Sequence, residues 1–206
     1  MQRTVVSISG FCSEAGKTSL LCDLLTLNPG WEAIKVTRGH YRSCGKDPEA
    51  CCVSHLLSDK PLVLSGYDLT YKTGKDTGRF WDHGASNVHW VVATSDQVEA
   101  GVAEALKRVS SPGVLIEGNS FLKYMDAHYS IMVTRPPFKP IKSSALSIIP
   151  KMNALYLSFC EPGATAPAEL LSELTGRFPT IDPLPIYSRQ DQQSLAEGIR
   201  RAHGSR

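Results

Sequence analysis

Nine consecutive residues, Gly10-Phe11-Cys12-Ser13-Glu14-Ala15-Gly16-Lys17-Thr18, constrain this chain more than any other segment. The apolar, β-branched run from Thr4 to Ser9 precedes them and reads as a buried strand. Thr18 to Leu25 follows with apolar residues at 20, 21, 24 and 25, a helical spacing that Asn28-Pro29-Gly30 ends. A loop between a buried strand and a helix leaves the first helical N–H groups without intrahelical partners, and with the helix dipole they favour an anion. Gly16 lets a phosphate approach the backbone, Lys17 brings a positive charge to it, and the Thr18 hydroxyl can ligate Mg²⁺. Gly10, Ser13, Glu14, Ala15 and Ser19 complete the candidate nucleotide-binding set.

The rest of the chain alternates in the same way. Strands are expected at 33–37, 88–93, 114–116, 129–134 and 154–159, with a small extra strand at 62–64. Helices are expected at 76–85, 97–109, 170–174 and 194–202, and residues 38–60 read as an irregular excursion. The strands are continuously apolar rather than alternating, which is the pattern of a parallel sheet covered on both faces. The expected fold is a three-layer α/β/α P-loop NTPase domain with a mainly parallel sheet, spanning residues 1–206.

Composition narrows the function classes. The 22 Lys+Arg against 20 Asp+Glu leave a net charge of +2, too small an excess for a protein that binds nucleic acid through its phosphates. No run of 18 apolar residues is present to span a membrane. Met1 to Thr4 leads straight into the first strand without a signal peptide's apolar region, so a cytoplasmic protein with reduced cysteines is expected.

The loop has five residues between Gly10 and Gly16, where the commonest form has four. That spacing resembles the dethiobiotin synthetase and cobyrinic acid amidase branch of P-loop proteins. Gly74-Lys75-Asp76-Thr77-Gly78 through Gly84-Ala85, followed by a strand, is similar to a motif of the molybdopterin-guanine dinucleotide biosynthesis protein B (MobB) family. Ile116-Glu117-Gly118-Asn119-Ser120 resembles that family's strand-end Glu-Gly motif. The resemblance covers residues 1–135 and leaves the last third unmatched. It implies a nucleoside triphosphate with Mg²⁺, a role in cofactor or metal-centre maturation, a cofactor-biosynthesis enzyme as partner, and a homodimer. Two other readings stand beside it: an ATP-dependent ligase or kinase like dethiobiotin synthetase, and a non-catalytic adaptor that uses nucleotide to set its shape.

Glu117 ends an apolar strand and precedes Gly118, so it is expected at the sheet's carboxyl edge in the Walker B role. Asp76 has two readings. The resemblance brings it to the metal or substrate, while the sequence alone equally allows a cap for the helix after it. The catalytic candidates are thus Lys17, Glu117 and Asp76, and the Mg²⁺ candidates are Thr18, Glu117 and Asp76. No guanine-reading Asn-Lys-x-Asp follows the late strand at 154–159, so both ATP and GTP remain open. The stiff segment Arg135-Pro136-Pro137 has two readings: a loop that turns the corner after a strand, or one that flanks the base, with Arg135 or Lys142 reaching a phosphate.

Cys44, Cys51 and Cys52, with His40, form the remaining chemical cluster. Thiolate and imidazole suit Zn²⁺, but no Cys-x-x-Cys spacing is present, and free thiols in a loop are the alternative. Metal content by mass spectrometry of untagged protein separates the two. Ligation gives stoichiometric zinc, and free thiols give less than about a tenth of an equivalent.

Overall fold

The apolar runs become the strands of one sheet: β1 (Thr4–Gly10), β2 (Glu32–Arg38), β3 (Leu62–Ser65), β4 (Val88–Ala93), β5 (Gly113–Glu117), β6 (Tyr129–Thr134), β7 (Ala154–Leu157) and β8 (Ile186–Tyr187). The computed structural model describes residues 3–40, 53–135, 141–158, 172, 175–176 and 184–204. The strand order is β3-β4-β2-β5-β1-β6-β7-β8, parallel throughout except where β3 runs antiparallel to β4. β1 therefore lies between β5 and β6. The chain leaves it toward β2 on one side and later returns to its other side as β6. Such a reversal opens a crevice at the strands' carboxyl ends, where ligands of open α/β sheets bind.

Among the described residues the sheet is joined by helices α1 (Lys17–Leu27), α2 (Tyr67–Thr70), α3 (Asp76–Asp82), α4 (Val98–Arg108), α5 (Ser143–Leu146) and α6 (Gln192–Gly204). Two buried clusters, one on each face of the sheet, make three layers. Leu20, Leu21, Leu24 and Leu25 of α1, Phe80 of α3, and Leu195 and Ile199 of α6 pack on Ile8, Ala33, Leu115 and Ile131. Val98, Val102 and Ala105 of α4 pack with Ala145 of α5 against Ile34, Val91, Ile116 and Met132. Each fully buried aliphatic side chain contributes about 1.5–3 kcal/mol, so these stripes hold the helices down. The helix α4 lies close because Gly101 carries no side chain: a Cβ there would come within 2.7 Å of Val91 Cγ1. Asn28 closes α1, its side-chain amide donating to the Leu24 carbonyl at 2.8 Å.

The mainly parallel α/β expectation is what the structure has. The last expected strand stops at Leu157, and the expected helix at 170–174 falls largely outside the described residues. The short helices α2 and α5 and the strand β8 were not legible, because two to four residues carry no usable periodicity. Among the described residues no helix is long and apolar enough to cross a membrane.

At the amino end of the sheet, a hydrogen-bonded carboxylate–imidazole pair is fully buried. His89 Nε2 lies 2.6 Å from Glu32 Oε2, and both side chains are at most 1% exposed. Glu32 Oε1 accepts from the Ser110 and Ser111 amides at 2.7 and 2.8 Å, and Ser65 Oγ sits 2.8 Å from His89 Nδ1. Burial alone would raise the Glu32 pKa; the hydrogen bonds from His89, Ser110 and Ser111 outweigh it and hold the carboxyl below its ordinary range. A depressed carboxylate contributes stability above the unfolded-state pKa of about 4.3, and that contribution is lost as pH falls through the lower folded value. Glu32→Leu strands two amides and an imidazole, so urea unfolding at pH 7 should show a loss of about 3–5 kcal/mol. The variant should also lack part of the acid-side fall of the wild type. A loss below about 1 kcal/mol would contradict the structural role.

Candidate functional site

The loop after β1 is held at both ends. Gly10 N–H donates to Asn119 Oδ1 and Asn119 Nδ2 donates back to the Gly10 carbonyl, each at 2.9 Å, so one side chain clamps the strand's last residue as a neighbouring strand would. Phe11 is buried; its N–H donates to the Val133 carbonyl and its own carbonyl accepts from the Lys142 amide. This anchoring explains the long spacing between the glycines. Phe11 extends the pairing with β6 and sinks its ring into the core, so the turn proper starts after it. Glu14 then takes a left-handed conformation at φ 61° and Gly16 another at φ 96°. Gly16 also lies against the end of β7: a Cβ there would stand 2.4 Å from Ser158 Cβ.

Lys17, the first residue of α1, folds its side chain over Gly10 and donates to the Cys12 carbonyl at 3.3 Å. No side chain caps α1, so the positive end of its dipole faces the loop. Ser13 is exposed and accepts from Lys142 Nζ at 2.6 Å, Ala15 is buried beneath the loop, and Ser19 accepts from Arg79 at 3.2 Å.

The acidic candidates converge on Thr18. Its hydroxyl lies 2.9 Å from Glu117 Oε2 and 3.2 Å from Asp76 Oδ1, within donating distance of both. Asp76 opens α3 but caps nothing; its carboxylate turns toward Thr18. The glycines of its motif make this approach possible. Gly74 turns the chain at φ 73°, and Gly78 lets the Lys72 carbonyl in where a Cβ would stand 2.2 Å from that oxygen. Glu117 ends β5 and is 2% exposed, beside Ile8 of β1.

A residue that sequence reasoning passed over joins them. Lys35 of β2 is the ladder partner of Glu117. Its ammonium lies 2.6 Å from Glu117 Oε1 and 2.5 Å from Asp76 Oδ2. Each carboxylate thus gives one oxygen to Thr18 and the other to Lys35. The one available signal was a lysine inside the apolar run Ala33-Ile34-Lys35-Val36, on a strand whose register with β5 the sequence does not reveal. Asn119 was quoted within its motif, but nothing in the spacing said that it would clamp Gly10.

Electrostatics follow from this packing. Burial lowers the Lys17 pKa, with Lys35 and Lys142 adding to the fall and Glu117 opposing it. Burial works against the Lys35 ammonium too, but Glu117 and Asp76 outweigh it and raise its pKa. Burial likewise disfavours the Asp76 carboxylate, and the charge and hydrogen bond of Lys35 with that of Thr18 hold it low. Hydroxyl and carboxylate oxygens suit a hard cation such as Mg²⁺. The Lys35 ammonium held by the same two carboxylates demonstrates that the cluster accommodates positive charge.

Cys44, Cys51 and Cys52 lie outside the described residues. His40 is half-buried just beyond β2. Among the described residues no group of three or more His, Cys, Asp or Glu side chains is arranged to hold a metal ion.

No protein-family model matches the chain, and no curated protein matches its sequence. Among solved structures it is similar to the "apo" form of LpxK from Aquifex aeolicus in complex with ATP. The TM-score is 0.50 at 17% identity, over 91% of this chain and 54% of the other. The chain thus spans about half the length of LpxK. A ParA family ATPase from Chlorobium tepidum TLS aligns over 98% of this chain and 89% of its own at TM-score 0.42 and 11% identity. Together with the central β1 and the mostly parallel sheet, the likeness to LpxK shows a mainly parallel α/β fold. It is a likeness of fold and does not reach the MobB or dethiobiotin synthetase branch.

Gly16→Ala tests the loop geometry. A left-handed alanine costs about 1–2 kcal/mol, and overlap with Ser158 adds about 1–3 kcal/mol. Denaturant unfolding should show both terms, and adding Ser158→Gly should recover only the second. Full recovery, or no loss in the single variant, would contradict the assigned backbone.

Proposed function

We propose that this chain binds a nucleoside triphosphate together with Mg²⁺ at the 10–18 loop and acts on its terminal phosphate. The observation that carries this reading is the convergence of Thr18, Asp76 and Glu117 at the start of the uncapped helix α1, beside Lys17. Loop amides and the helix dipole receive the phosphates, and Lys17 leaves the Cys12 carbonyl to neutralise them. The Thr18 oxygen and the two carboxylates would hold Mg²⁺, which would supply further neutralisation of phosphate charge. Glu117, buried and tied to Thr18, orients the attacking group. Catalysis of this kind is positioning and charge neutralisation rather than covalent chemistry.

Within that class, the MobB-like motifs support a reading in cofactor or metal-centre maturation, with a cofactor-biosynthesis enzyme as partner. The second reading, an ATP-dependent ligase or kinase, is favoured by Lys35, whose ammonium adds positive charge where a phosphoryl group would transfer. Base preference divides the two: GTP belongs with the MobB-like role and ATP with the ligase or kinase.

Calorimetric titration with non-hydrolysable ATP and GTP analogues, with and without Mg²⁺, tests the proposal. Mg²⁺-dependent binding is expected, and Lys17→Ala should weaken it by about tenfold or more with the far-ultraviolet circular dichroism unchanged. Equal affinity in the variant would remove the central role of the loop.

A further inference from the structure

Lys35 has a consequence for the order in which ligands enter. It rests on the triphosphate reading above. Lys17, Lys35 and Lys142 meet the carboxylates of Glu117 and Asp76 at the mouth of the loop. Asp76 and Glu117 each already give an oxygen to the Lys35 ammonium, at 2.5 and 2.6 Å. A free divalent cation approaching Thr18 would share both carboxylates with that ammonium, at the separation of neighbouring side chains, where like charges repel strongly. A triphosphate reverses the balance. Its negative charge exceeds that of the cation it carries, and it offers Lys17, Lys35 and Lys142 anionic partners at once.

We propose that Lys35 is a positioning residue that makes metal entry conditional on nucleotide. Its ammonium holds Asp76 and Glu117 in register with Thr18 and excludes the bare cation, and the bound triphosphate lifts that exclusion. The discrimination comes from where β2 and β5 pair. Lys35 and Glu117 are ladder partners, so the register of the sheet keeps the root of the Lys35 side chain beside the carboxylate.

Mn²⁺ binding followed by electron paramagnetic resonance reads this directly, without turnover. Wild type should bind Mn²⁺ alone at least about tenfold more weakly than in the presence of a non-hydrolysable ATP or GTP analogue. Lys35→Met keeps the length of the side chain and removes its charge, and should bind Mn²⁺ alone at least about tenfold tighter than wild type. Lys35→Arg keeps the charge and should retain weak binding of the bare metal. Equal or weaker Mn²⁺ affinity in Lys35→Met would overturn the proposal. If Lys35→Met fails to fold, the wild-type comparison decides: Mn²⁺ affinity that does not change with the analogue, while the analogue itself binds, overturns it equally. Wild type that binds neither analogue refutes the triphosphate reading instead.

Discussion

One half-buried ammonium ties four elements of this protein together. Lys35 stands on β2, Glu117 at the end of β5 and Asp76 at the start of α3, and the two carboxylates reach Thr18 on the first turn of α1. Removing an ion from water is costly, and the mutual attraction offsets it only where the geometry is good and the remaining donors are satisfied. Here both conditions are met, because the register of the parallel sheet aligns Ile8, Glu117 and Lys35 across three adjacent strands. Deleting Lys35 would leave the buried Glu117 carboxylate without its cation. The loop, the helix start and the two acidic positions therefore form one unit rather than a set of independent residues.

The two ends of the sheet use charge differently. At the amino end, Glu32 and His89 are enclosed, and every polar contact is answered from within: imidazole, two amides and two hydroxyls. Nothing there is left to bind a ligand, and the pair serves stability. At the carboxyl end Lys17, Lys35 and Lys142 stand with Glu117 and Asp76 around the uncapped start of a helix. That end has donors to spare, which is the condition for receiving an anion. The same residue types thus differ in role by whether the backbone around them is already hydrogen-bonded.

The sequence carried the fold well where its signals were local. The runs 88–93 and 129–134 match their strands residue for residue, and the Gly-Lys-Thr ending sits between strand and helix as expected. Asp76 stood open between a helix cap and an approach to the metal or substrate, and its carboxylate lies with Thr18 and Lys35. Lys35 and Asn119 went unread for a common reason. Each acts across the sheet, on Glu117 or on Gly10, and strand register between residues 82 or 109 positions apart leaves no mark in local composition.

What the sequence determined by itself is the layered α/β plan and the phosphate-loop candidate, since continuous apolar strands, amphipathic helices and a glycine-lysine-threonine turn are properties of neighbouring residues. What only the tertiary structure decided is which charges meet. Strand order placed β1 between β5 and β6, register set Lys35 beside Glu117, and Gly78 admitted the backbone that turns Asp76 inward. These are long-range contacts fixed by the packing of whole elements, and packing is a property of the assembled sheet rather than of any segment within it.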